Sequence, residues 1–187
     1  EPMARPGVSL PGTRVFELFH LPQGLKPDLK GIGVRGTLRR PERQGLPATY
    51  TITATIPGVV PYTLDLTSKS FSRSFTGTIL NASWDSTFFA WTDEADPRTD
   101  LAAWRALAEG RGAINARLVS IDLPYHGRGP SDLKVSEELT KAALRPNHFG
   151  MVARASIKMP KGNWRVTTLS DDGVRVRVNN KAIIENW

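Results

Sequence analysis

The run Tyr50-Thr51-Ile52-Thr53-Ala54-Thr55-Ile56 sets one polar residue against one apolar residue at every step. A period of two is the signature of a half-buried β-strand, because successive side chains leave opposite faces of the pleat. Pro57-Gly58 interrupts the run, and Tyr62-Thr63-Leu64-Asp65-Leu66 resumes the alternation. Two antiparallel strands joined by a turn follow.

The rest of the chain is punctuated in the same manner. Its 187 residues contain 16 Gly and 14 Pro spaced among short runs rich in Val, Thr and Ile, and 40% of its residues are hydrophobic. Such a chain buries a real core and reads as mainly β with many turns. Thr87-Phe88-Phe89-Ala90-Trp91 reads as a largely buried strand, Ile114 to Leu123 as another, and residues 1 to about 45, broken by Pro6, Pro11, Pro22, Pro27 and Pro41 among others, as irregular.

Two segments have helical character. In Asp96 to Gly110, Asp96 is the expected cap, Pro97 suits the first helical position, Gly110 ends the helix, and Leu101, Trp104 and Leu107 share a face. The acids Asp93, Glu94, Asp96 and Asp100 could suggest a cation site, but acids at a helix N-terminus already have an electrostatic reason to be there, and that reading is preferred. A second, shorter helix is expected within Ser131 to Leu144, capped by Ser131 or Asp132.

Several function classes lose their support here. No run of about 18 apolar residues occurs, so no transmembrane helix is expected. The absence of cysteine removes disulfides and thiolate nucleophiles. His20, His126 and His148 are in no zinc-binding spacing, and neither a nucleophile elbow nor a Walker loop is present. Gly31-Ile32-Gly33-Val34-Arg35-Gly36 matches the dinucleotide pattern, but Pro41, Gly45 and Pro47 arrive before a helix could form, which leaves a glycine-rich strand or turn. The net charge of +7 is spread along the chain, which favours solubility over specific nucleic-acid binding. A noncatalytic protein is expected.

From Phe149 the chain reads as a meander: Met151 to Met159, Trp164 to Leu169, Val174 to Val178 and Ala182 to Trp187, with Asn179-Asn180 making a tight turn. Three ordered blocks in this span, Gly162-Asn163-Trp164-Arg165-Val166, Ser170-Asp171-Asp172-Gly173-Val174-Arg175-Val176 and Ile183-Ile184-Glu185-Asn186-Trp187, resemble the PA-fourteen family. That family is the β-barrel or β-sandwich module of anthrax protective antigen, shared by flocculins, adhesins and several glycosidases. Asn179-Asn180 stands where the family usually has Asp-Gly, and the family's later strands and second ligand-binding loop would follow Trp187.

The resemblance implies a sandwich or barrel of the protective-antigen-like type. The expected organisation is an N-terminal β-rich region over residues 1–80 and a protective-antigen-like domain over residues 81–187, incomplete at its C-terminus. Glu1-Pro2-Met3-Ala4-Arg5-Pro6 lacks a signal-peptide core and does not read as a natural translation start, so either a removed leader or missing upstream sequence is expected. The resemblance also implies a secreted or cell-surface setting and a noncatalytic carbohydrate-binding or adhesion module. In it Asp171, Asp172 and Gly173 would bind the ligand, and Asp171 and Asp172 would hold calcium.

Calcium takes about 6 to 8 oxygens, of which two carboxylates supply at most four, so another loop, water and sugar hydroxyls must complete the shell. Both side chains reach one ion only where the backbone departs from regular strand. The competing reading makes Asp171 and Asp172 plain turn residues, with Gly173 at positive φ. At the level of the whole chain the alternatives are a structural module of a surface layer, filament or larger assembly that contacts other protein chains, and an accessory domain of a glycoside hydrolase. The five tryptophans are expected mostly in the core rather than stacked on sugar rings.

Overall fold

The computed structural model describes residues 3–7, 9–43 and 45–186. Within them the protein is mainly β: twelve strands in four antiparallel sheets, with two short α-helices. The alternating run quoted above becomes β5 (Ala48–Ala54), which pairs on one side with β2 (Thr13–Phe19) and on the other with β4 (Val34–Arg39), while β1 (Met3–Pro6) pairs with β2. The resumed alternation lies inside β6 (Gly58–Thr67), between β3 (Lys26–Lys30) and β7 (Ser72–Asn81).

These two sheets face each other as a sandwich, not a closed barrel. On β5 the residues Ala48, Tyr50, Ile52 and Ala54 are buried while Thr49, Thr51 and Thr53 remain half exposed. Val60, Tyr62, Leu64 and Leu66 of β6 meet them from the opposite sheet in a single core that includes Phe16 and Ile79. Phe16 crosses between the layers, with its ring 6.4 Å from that of Tyr62 and 4.7 Å from that of Phe75. Each fully buried Ile or Leu here contributes about 1.5 to 3 kcal/mol.

The N-terminal stretch expected from the sequence to be irregular instead supplies β1 to β4. Three of those strands lie at sheet edges, and Pro6 and Pro27 sit on two of them, where a missing N–H breaks no ladder. Edge chemistry therefore looks like loop chemistry in the sequence. The dinucleotide-like glycines are accounted for as well: Gly31 to Gly33 turn the chain from β3 into β4, and Gly36 leaves the space that the Tyr50 hydroxyl occupies. Asn81, at the end of β7, donates its Nδ2 to the carbonyl of Ile56 at 3.0 Å and more loosely to that of Ala54, fastening the loop between β5 and β6.

A three-stranded sheet follows, with β8 (Trp84–Ala90) between β9 (Ile114–Leu118) and β10 (Phe149–Arg154). Phe88 and Phe89 point to opposite faces and both are buried. Phe88 packs with Leu118, Ala116 and Leu139 of α2 (Glu137–Ala142), whereas Phe89 meets Trp104 of α1 (Leu101–Leu107) edge-on at 4.8 Å.

The helices begin later than expected. Asp100, not Asp96, caps α1 by accepting the Ala103 N–H at 2.8 Å. Asp96 is instead buried under Arg98, which donates through Nε, Nη2 and its backbone N–H. In α2 the cap is Ser136, whose Oγ accepts the Leu139 N–H. Ser131 binds the Leu144 N–H and Asp132 the Gly129 N–H, so both shape the preceding 3-10 turn.

Candidate functional site

The expected meander is only partly paired. β11 (Val174–Val178) and β12 (Lys181–Asn186) form a hairpin, and Asn179 and Asn180 take positive φ values of 49 and 66 degrees, as a two-residue primed turn requires. Arg175 pairs with Glu185 across it. An irregularity between Val176 and Arg177 leaves Ile183 as the extra residue on β12. Residues 164–169, in contrast, pair with no strand among the described residues. The span 155–186 is thus a largely exposed arm.

Asp171 and Asp172 stand where this arm bends into the hairpin, and both are exposed. Gly173 follows at the foot of β11 without the positive φ that a simple turn-making role called for. Among the described residues no hydrogen bond or ion pair engages either carboxylate, and no three His, Asp or Glu side chains come together as a ready metal cage. The bend has one chemical consequence. Outside a regular strand, the two neighbouring carboxylates are not held to opposite faces of a pleat.

The aromatic residues divide in a way the sequence did not signal. Trp104 is buried, Trp84 packs against the second core, and Trp91 donates its Nε1 to the Phe149 carbonyl at 3.1 Å. Trp164 remains 42% exposed, with its indole turned back so that Nε1 donates to the Pro160 carbonyl at 3.0 Å. Trp187, the last residue of the expected closing strand, lies outside the described residues.

His148 is beside Trp91, with ring centroids 4.8 Å apart, and its Nε2 lies 3.3 Å from Asp93 Oδ1. Burial pushes the neighbouring Tyr125 hydroxyl up to about 12, and its ring meets Phe149 edge-on. These rings gather at the end of the β8–β10 ladder where Phe149 lies opposite Ala90.

A cleft of about 630 Å³ opens between the sandwich and the second sheet. Leu10, Leu80, Val119 and Val135 give it an apolar lining, with Arg14 and Asp122 as its charged members. Its serines are committed to the backbone: Ser9 Oγ accepts the Val15 N–H and Ser120 Oγ the Asp122 N–H. No family model, curated protein or solved structure matches this chain.

Proposed function

We propose that this chain is a noncatalytic carbohydrate-binding or adhesion module of a secreted or cell-surface protein, and that Asp171 and Asp172 bind calcium and, through it, a glycan. One observation carries the reading. The two carboxylates are adjacent, exposed, uncommitted to any partner among the described residues, and placed on a bend that frees them from strand alternation. Hard carboxylate oxygens of this kind suit calcium, and vicinal sugar hydroxyls can occupy the positions that two side chains leave open. Gly173 keeps the adjoining backbone unencumbered.

The test is direct. Calcium raises the melting temperature and enables binding on a glycan array, EDTA abolishes both, and the double variant Asp171→Asn, Asp172→Asn loses both while retaining its fold. A protein indifferent to calcium in melting and glycan binding alike overturns the proposal.

The exposed arm supports a second reading, in which the module assembles with other protein chains. Trp164, Val166 and Leu169 face water on a segment with strand-like sequence, and each gains by burial against a partner. Light scattering that gives a monomer at every salt and protein concentration, with no partner strand bound, counts against it.

A further inference from the structure

In the sheet of β1, β2, β5 and β4, every second side chain turns away from the core, and the pairing register fixes which of them stand side by side. Val34, Gly36 and Leu38 of β4 are paired with Ala54, Ile52 and Tyr50 on the core side, so Arg35, Thr37 and Arg39 share the outer face. That face continues into β5 through Thr53, Thr51 and Thr49, each directly across from one of the three. Arg35, Thr37 and Arg39 are exposed, and the β5 threonines are half exposed. Arg40 and Arg43, both exposed, follow at the end of β4.

The charge on this face is uncompensated. Glu17 of β2, across from Thr49, is occupied by Arg5, whose Nε donates to it at 2.8 Å. Glu42 is the one acid between Val34 and Arg43. Among the described residues no ion pair engages Arg35, Arg39, Arg40 or Arg43, and no hydrogen bond occupies the hydroxyls of Thr37, Thr49, Thr51 or Thr53. Lys30, Arg98, Arg117 and Lys141, in contrast, all have carboxylate partners. A surface built for solubility interleaves the two signs. Here one sign gathers on one strand beside open hydroxyls.

We propose that this face binds an acidic polysaccharide, carboxylated or sulfated, without calcium. It shares its ligand class with the function proposed above but uses none of the same residues. Guanidinium forks match the paired oxygens of such acids, and threonine hydroxyls both donate to and accept from sugar hydroxyls. Arg35 and Arg39, four residues apart at about 3.3 Å each, stand about 13 Å apart along the strand with Thr37 between them. A polymer whose acidic groups are separated by hydroxyl-bearing units suits that spacing. Nucleic acid suits it less, because a strand carries one charge about every 3.4 Å and single strands are held by stacking on aromatic rings. Phe19, the ring on this face, is covered by the Arg5 guanidinium at 4.7 Å from its centroid.

The experiment titrates the whole chain, in EDTA, with dextran sulfate, polygalacturonate, neutral dextran, oligothymidylate and phosphatidylserine vesicles. One or both acidic polysaccharides bind, which identifies the acid, and neutral dextran does not. Arg35→Gln with Arg39→Gln weakens that binding about tenfold or more. Thr51→Val, which keeps the shape and removes the central hydroxyl, weakens it by less. Arg111→Gln with Arg128→Gln, which removes the same charge at two exposed loop positions, leaves it unchanged. Equal loss from the two arginine pairs reduces the effect to net charge and overturns the proposal. Oligothymidylate or vesicles bound as tightly as the polysaccharides make the partner a nucleic acid or a membrane and overturn it as well. No polysaccharide binding in EDTA leaves the β4 arginines as protection of an edge strand and ends the proposal. Glycan binding that returns with calcium and is lost in Asp171→Asn, Asp172→Asn then keeps the function proposed above standing on its own.

Discussion

The carbonyl of Lys158 accepts a hydrogen bond from the backbone N–H of Val59 at 3.0 Å, so the chain that leaves the second sheet is tied to the sandwich at the start of β6. The approach depends on Gly58, which has a φ of 111 degrees and would place a Cβ 2.5 Å from that carbonyl. Gly58→Ala is expected to cost about 1 to 3 kcal/mol, from the strained backbone and the displaced carbonyl together. Lys158→Ala is expected to change little, since the bond belongs to the backbone. Denaturant unfolding gives the cost, and hydrogen exchange at Val59 shows whether the tie is lost.

The start of α1 predicts a pH dependence. Arg98, bonded to Asp96 through its guanidinium and its backbone N–H, holds that carboxyl below the usual carboxylate range. A lowered folded-state value stabilises the native protein above the unfolded value of about 3.9 and loses that contribution as pH falls through the folded one. Asp96→Asn should therefore destabilise at neutral pH and flatten the acid limb of the stability profile. Asp100→Ala should cost about 0.5 to 2 kcal/mol through loss of the cap. Urea midpoints measured across the acid range separate the two.

The distribution of tryptophan makes the two cores separately observable. Trp84, Trp91, Trp104 and Trp164 all belong to the part of the chain after the sandwich, whose own phenolic rings are Tyr50 and Tyr62. Leu139→Ala removes a fully buried side chain and should cost about 2 to 5 kcal/mol, seen as an earlier tryptophan fluorescence transition. Ile52→Ala carries a similar cost but should shift the far-ultraviolet circular dichroism transition and leave the tryptophan transition in place. If both variants move both signals equally, the chain unfolds as one unit.

Alkali should act through Tyr125. Its hydroxyl, raised by burial to about 12, stays protonated in the native state after the unfolded chain has begun to ionise near 10. The contribution is complete below the unfolded value and declines as pH climbs toward the folded one. Tyr125→Phe should reduce the stability lost over that interval. A tyrosinate absorbance titration in which every tyrosine ionises near 10 would contradict this.

Much of the β architecture could be read from alternation alone, since Tyr50 to Ile56 and Tyr62 to Leu66 identify the two central strands of the sandwich. The edge strands escaped because many of their residues are exposed: Lys26, Asp28 and Lys30 in β3, and Arg35 and Arg39 in β4, obscure any apolar period. Both helix starts were misplaced for a shared reason. Several adjacent residues could cap, and tertiary contacts chose among them, with Arg98 claiming Asp96 and the Leu144 N–H claiming Ser131. For the candidate site, the bend at Asp171 and Asp172 was legible from their position before Gly173, and the Asn179-Asn180 turn from its residue types. The exposure of Trp164 was not, because its indole is turned by a bond to Pro160 that no spacing encodes. Nor did the strand-like alternation of residues 164–169 guarantee pairing, since pairing needs a neighbour as well as a pattern.

Asn81 has a practical consequence for anyone producing this protein. Asn81-Ala82-Ser83 is an acceptor triplet for oligosaccharide in a eukaryotic secretory pathway, and the nitrogen that would carry the sugar is the one bonded to the carbonyls of Ile56 and Ala54. A glycan there would take the place of the fastening between β5 and β6, so the choice of expression host becomes a structural variable. Material from a host that modifies the triplet should yield a looser sandwich than material from one that does not.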